Sequence, residues 1–223
     1  MMVFHIFTIF PEVLESYFGV SVLKRAQKEN LIRIKIHNIR DFSKNKHKTV
    51  DDRPFGGGAG MVMKAEPIIR AVQLALKRIK NNELRIKKTK IILLSASGKQ
   101  FTQATARNLA KNCNDILLIC GRYEGIDERL KSIIRNLGFM VQELSIGPYI
   151  LTGGELPAMT IADAVARHIP GVLGSKDSLE EIKGSYSVYT RPEVIKYKDK
   201  KYRVPRVLLS GDHKKIKEWR KII

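Results

Sequence analysis

A chain of 223 residues with 43% apolar side chains can bury a real core, which excludes a disordered or fibrous class. The 41 Lys and Arg against 22 Asp and Glu leave a formal net charge of +19, and so large an excess repels itself unless a polyanion such as nucleic acid neutralises it. Two cysteines, Cys113 and Cys120, exclude a disulfide framework, and no run of about 18 apolar residues exists to cross a membrane. The apolar start, residues 1–10, lacks the basic region and cleavage site of a signal peptide, so a soluble cytoplasmic protein without a membrane partner is expected. A genome biased toward Lys, Ile and Asn would also raise the lysine count.

In chain order, residues 3–9 read as a strand, followed by a helix opened by Pro11 in its first turn. Ser21 is expected to cap a helix running to about Asn30, and 31–39 alternates apolar and basic residues as a strand with one wet face. Residues 40–60 have charges and glycines without periodicity and read as a long loop. An amphipathic helix is expected over 65–80 and a polar surface connection over 81–89. The apolar runs 90–95 and 115–120 read as strands buried on both faces of a parallel sheet, joined by a helix over 102–111. A helix over 128–136, a strand over 139–144 and a helix over 155–168 complete an α/β pattern with a mainly parallel sheet. Composition then changes: 170–184 is rich in Gly, Ser and charge, a linker. The remainder is short, basic and aromatic, with a last helix over 212–221 and too little length for a large core of its own.

Common sites are missing. Gly98-Lys99 is followed by Gln100, so there is no phosphate loop of the Walker type; neither a dinucleotide-binding glycine turn nor a Ser nucleophile elbow occurs. The five histidines lack ligand spacing, so no metal site is expected. What remains is three glycine-bearing segments, each just after a buried strand: Ser95-Ala96-Ser97-Gly98, then Cys120-Gly121-Arg122-Tyr123-Glu124-Gly125-Ile126-Asp127, then residues 145–155 with Gly147, Gly153 and Gly154. In a parallel sheet the ligand crevice lies beyond the carboxyl ends of the strands, and glycines there let backbone approach a ligand. Each segment alone is more often only a turn; three on one sheet edge point to a pocket. The 40–60 loop, with Pro54-Phe55 ahead of Gly56-Gly57-Gly58, is stiffer than a linker needs to be.

These segments resemble the bacterial tRNA (guanine-N1)-methyltransferase family. The resemblance rests on Arg40-Asp41-Phe42, the 50–60 loop, 121–129, 145–158, 169–174, Tyr189-Thr190-Arg191-Pro192-Glu193-Val194, Val207-Leu208-Leu209-Ser210-Gly211 and Trp219-Arg220, in the family's order over nearly the whole chain. It implies a trefoil-knotted α/β domain over 1–169, a linker over 170–184 and a small helical tRNA-binding domain over 185–223. It also implies an obligate homodimer, and methylation by S-adenosylmethionine of N1 on the guanosine just 3′ of the anticodon in tRNA. Carried over motif by motif, the cofactor lies against Ser97, Gly121, Tyr123, Glu124, Ile146, Gly147, Tyr149, Leu151, Gly153 and Gly154. The substrate meets Asp52, Gly57, Ser178, Tyr189 and Arg191. The general base is Asp177, of an Asp-Ser pair in the linker, and the catalytic arginine is Arg167. The resemblance suggests magnesium as an aid, although no dedicated metal cage is evident. The linker ahead of Asp177 is shorter than usual in the family, Pro148 replaces a usual Asp, and the stretch from Arg129 to Ser145 is longer than usual.

The residue types suit this chemistry. Guanine N1 carries a proton at neutral pH, so a carboxylate must take it, and an arginine can stabilise the charge that develops at O6. Outside the motif order, Asp177 reads more readily as a helix N-cap in a linker and Arg167 as a surface phosphate contact; only the motif order lifts both above those readings. Two rivals remain: a non-catalytic RNA-binding protein and a methyltransferase for ribosomal RNA.

Overall fold

Strand β1 (Met2–Thr8) buries all seven of its residues, because it lies at the inside of a sheet covered on both faces. A computed structural model describes residues 1–80, 83–174 and 186–222. After β1 come α1 (Pro11–Phe18), α2 (Ser21–Lys28) and β2 (Ile32–Asn38). The short strands β3 (Asp51–Asp52) and β4 (Val62–Met63) pair antiparallel and precede α3 (Ala65–Lys80) and the single turn α4 (Glu83–Ile86). Then come β5 (Thr89–Gln100), α5 (Gln103–Asn112), β6 (Asp115–Cys120), α6 (Arg129–Asn136), β7 (Val141–Ser145) and α7 (Glu155–Ala166). The main sheet has the order β2-β1-β6-β5-β7, and every pair in it is parallel.

The period of two along the strands divides the core. Phe4, Ile6, Ile92, Ile116 and Leu118 face one cluster, closed by Leu14 and Phe18 of α1, Leu109 of α5 and Ile161 and Val165 of α7. Phe7, Ile91, Leu117 and Ile119 face the other, closed by α3 and by Leu130 and Ile134 of α6. The edge strand β2 keeps Arg33 exposed, in keeping with its basic alternation.

Local chemistry explains where elements depart from expectation. Ser21 does not cap α2: it is the first helical residue, at φ 49°, and its side chain makes no capping bond. The helix stops at Lys28 because Asn30 turns left-handed at φ 55°, its N–H donating to Gln27 O while Leu31 N–H donates to Ala26 O. Those two bonds are a Schellman closure, and Asn tolerates the conformation it needs. The 40–60 loop begins inside a 3-10 turn at Ile39–Phe42, capped by Asn38, whose side chain accepts from Arg40 N. Strand β5 does not end at Ser95. It leaves the β7 ladder after Leu94 and rejoins at Lys99 opposite Leu144, a bulge in which Gly98 lies so close that a Cβ there would be 2.6 Å from Leu144 N.

The chain divides into two units, Met1–Gly174 and Ser175–Ile223. Val172 is buried in the core of the first. In the second, β8 (Val194–Tyr197) and β9 (Lys200–Arg203) form an antiparallel hairpin, ahead of α8 (Arg206–Leu209) and α9 (His213–Ile222). A small helical domain with a last helix was expected here; α9 lies where that helix was placed, and the hairpin adds two strands to it. None of residues 186–220 is buried.

Candidate active site

The carboxyl ends of β5, β6 and β7 open onto one cleft of about 580 Å³. All three glycine segments reach it. Ser97, Gly121, Tyr123, Glu124, Ile146, Tyr149, Leu151, Gly153 and Gly154 line it; Gly147 does not, but sits beneath Tyr149, with whose ring a Cβ at that position would collide. The segments are locked together by backbone. Gly154 N–H donates to Gly121 O at 2.9 Å, and a Cβ on Gly154 would stand 2.6 Å from the Cys120 Cα and 2.9 Å from Gly121 N. Ser145 Oγ donates to Gly147 O at 2.9 Å and holds the turn that starts the third segment.

Beneath this floor lies a charge arrangement that local sequence pattern does not announce. Glu155, in the first turn of α7, is buried; it accepts from Thr8 Oγ1 at 2.6 Å and from Arg122 Nε at 2.9 Å. Arg122 also donates to Thr152 O at 3.2 Å and lies over the Phe10 ring. The carboxylate at a helix N-terminus is further favoured by the helix dipole. One ion pair thus ties the second segment, the third and the end of β1 together. Burial, and then the Glu155 carboxylate, push the Cys120 thiol well above its ordinary range, so that sulfur is an inert core group and not a nucleophile. On the cleft wall, Lys131 Nζ bridges Glu143, at 2.7 Å, and Glu128. Arg122 and Glu155 could have been noticed as charges set among the glycines. Nothing in sequence spacing pairs Lys131 with Glu143.

A second, wider cavity of about 1150 Å³ shares Glu124, Gly125, Ile126 and Glu128 with the first. Its other wall runs from the 40–60 loop into β4 and α3, with Asp52, Arg53, Pro54, Phe55, Lys64 and Arg70. The walls are joined by Met63 N–H to Gly125 O at 2.9 Å and Glu124 N–H to Met61 O at 3.0 Å. Gly60, at φ 80°, leaves the space that the Glu124 carboxyl occupies, and a Cβ there would collide with it. Lys64 beside Asp52, at 2.8 Å, holds that carboxyl below its usual range. Gly57 is exposed, with open space around it. Its φ of 80° is what the turn requires.

Of the two expected catalytic residues, only Arg167 falls among the described residues, and it does not line this cleft. Arg167 is the exposed C-cap of α7, while Pro157 at the other end of that helix lines the cleft. Ten residues at the helical rise separate them by roughly 15 Å. Asp177 and Ser178 lie outside the described residues. Tyr189 and Arg191 belong to the second unit, where they line a cavity of about 590 Å³ with Tyr186, Leu208 and Arg220, and the Tyr189 ring is 6.2 Å from that of Trp219. Among the described residues no group of three His, Cys, Asp or Glu could hold a metal ion, and no helix is long and apolar enough to cross a membrane.

Comparison with known proteins identifies the family. The family profile "tRNA (Guanine-1)-methyltransferase TrmD" matches residues 2–222. The chain is 49% identical to the tRNA (guanine-N(1)-)-methyltransferase of Dictyoglomus turgidum, over 97% of its own length and 82% of the relative's. The similarly named protein of Thermomicrobium roseum is 48% identical over 99% and 78%, and that of Clostridioides difficile 46% over 98% and 90%.

Proposed function

We infer how the site works from one premise: the chain belongs to the tRNA (guanine-1)-methyltransferase family. It transfers a methyl group from S-adenosylmethionine to N1 of the guanosine immediately 3′ of the anticodon in tRNA. The observation that carries the reading of the site is the convergence of three glycine segments on one cleft at the carboxyl edge of a parallel sheet. In this reading the cofactor lies there, its backbone contacts made possible by Gly121, Gly153 and Gly154. The target guanine enters the adjoining cavity beside Asp52 and the Gly57 turn, and Tyr189, Arg191 and Ser178 add contacts to the tRNA. The family also carries the expectation of a trefoil knot in the first unit. The described residues offer no cage for magnesium, and no step is assigned to it.

The cofactor, when bound, supplies a methyl group on a sulfonium. Asp177 takes the N1 proton as the N1–methyl bond forms and the sulfur–methyl bond breaks; Arg167 neutralises the charge left on O6. Roughly 15 Å of helix separates Arg167 from the cleft lining at the other end of α7. Its guanidinium therefore acts in the cleft of a second copy, which is the physical reason for proposing a homodimer. No membrane is involved, and the cytoplasm is where tRNA substrate is met.

Asp177→Asn tests the base. It keeps size and loses basicity, so the single-turnover rate should fall by about 10²–10⁴, with partial recovery at alkaline pH and unchanged cofactor affinity. A near-normal rate would move the base elsewhere, first to Glu124, whose carboxyl lies between the two cavities.

A further inference from the structure

The hairpin of the second unit presents two unlike faces. Its sequence, Val194-Ile195-Lys196-Tyr197-Lys198-Asp199-Lys200-Lys201-Tyr202-Arg203, holds five basic residues and one acid. The register sets Lys196 opposite Lys201 and Val194 opposite Arg203, so three cations share one face. Ile195 opposite Tyr202 and Tyr197 opposite Lys200 make the other face. Ile195, Tyr197 and Tyr202 are 56%, 62% and 55% exposed. Among the described residues none of Lys196, Lys201 and Arg203 has an ion-pair partner.

Both faces are costly for a hairpin standing alone. Like charges directly opposite each other destabilise a strand pair, and a two-stranded hairpin is marginal in water even without them. The Tyr197 ring has Lys198 Nζ 5.7 Å from its centroid, yet it and the Tyr202 ring both stay more than half exposed. A partner with regularly spaced negative charge and flat apolar surfaces answers both at once, and single-stranded RNA has both. An acidic protein would satisfy the cations but gives the two tyrosines no reason to lie as diagonal neighbours on a single face.

We propose that this hairpin is an RNA-gripping element: Lys196, Lys201 and Arg203 neutralise phosphates on one face, and Tyr197 and Tyr202 stack on unpaired bases on the other. The proposal rests on the tRNA reading above and adds the place and manner of the grip.

Two variants separate the faces. Binding of a tRNA transcript is measured from low to moderate salt for the wild type, for Lys196→Gln/Lys201→Gln/Arg203→Gln, and for Tyr197→Ala/Tyr202→Ala. Emission of Trp219, in the same unit as the hairpin, serves as the control for folding. Each phosphate contact contributes about 0.7–0.9 to the log–log salt slope, so the triple variant should lose roughly 2 to 3 from that slope. The tyrosine variant should bind about tenfold or more weakly with the slope unchanged, because stacking releases no counterions. A triple variant with the wild-type slope overturns the phosphate face and leaves an acidic protein as the hairpin's partner. A tyrosine variant with wild-type affinity overturns the stacking face. If the wild type itself shows no salt-dependent tRNA binding, the tRNA reading falls along with the proposal; if only the variants match the wild type, the proposal falls alone.

Discussion

Gly154 shows how much one missing side chain carries. Its φ of −82° is open to any residue, so nothing conformational demands glycine; the demand is steric, since a methyl would meet Cys120 Cα and Gly121 N. Neither is the end of a flexible side chain, so the third segment would have to lift off the second. Gly154→Ala should weaken S-adenosylmethionine binding at least tenfold by calorimetry, whereas Gly174→Ala, which meets nothing within 4 Å and needs no left-handed backbone, should leave it unchanged. Wild-type affinity in Gly154→Ala would remove the close approach from the account of the cleft. The cleft was legible because glycine after a buried strand is a local signal. The pair Arg122 and Glu155 was less so, for Glu155 is held by Thr8 from the far end of the chain's first strand, a neighbour no local pattern reveals.

At the scale of elements, strands enclosed on both faces declared themselves: residues 115–120 form a nearly unbroken apolar run, and β6 (Asp115–Cys120) covers the same span. The bulge in β5 did not, because Ser-Ala-Ser-Gly reads as a turn until β7 is there to pair with it. The hairpin did not, because Ile195 to Arg203 has neither a turn dipeptide nor a buried alternation. Strand β2 carries a titration the sequence also could not show. His37 lies against His5 and Phe7, its Nε2 3.1 Å from His5 Nδ1, and His5 in turn faces Asp115, itself paired with Arg85. Burial first, then His5, Lys35 and Arg78, push the His37 imidazole down to about 4. Its folded pKa is below its unfolded one, so its contribution to stability is whole above about pH 6.5 and is lost as pH falls toward 4. The loss is at most about 3 kcal/mol at 1.36 kcal/mol per unit. Urea unfolding between pH 7 and pH 4 should show this slope in the wild type and a flatter one in His37→Gln; identical slopes would contradict the assignment.

Across the whole molecule, the first unit holds the five-stranded sheet and both apolar clusters, while in the second none of residues 186–220 is buried. That contrast was legible from length alone, since a short basic tail lacks the apolar surface for a core. A knot or a pairing of copies, which only the family resemblance proposes here, would leave no mark on local pattern. The one tryptophan of the chain, Trp219, falls in the unit without a core, beside Tyr189. Indole emission is therefore a reporter of the second unit alone, whereas far-ultraviolet ellipticity is dominated by the sheet and helices of the first. In a urea titration the emission midpoint should come at lower denaturant than the ellipticity midpoint, and added tRNA should draw the two together. Coincident midpoints in the free protein would mean that the second unit borrows its stability from the first. The protein thus carries a built-in fluorophore that reports on its coreless unit without a label.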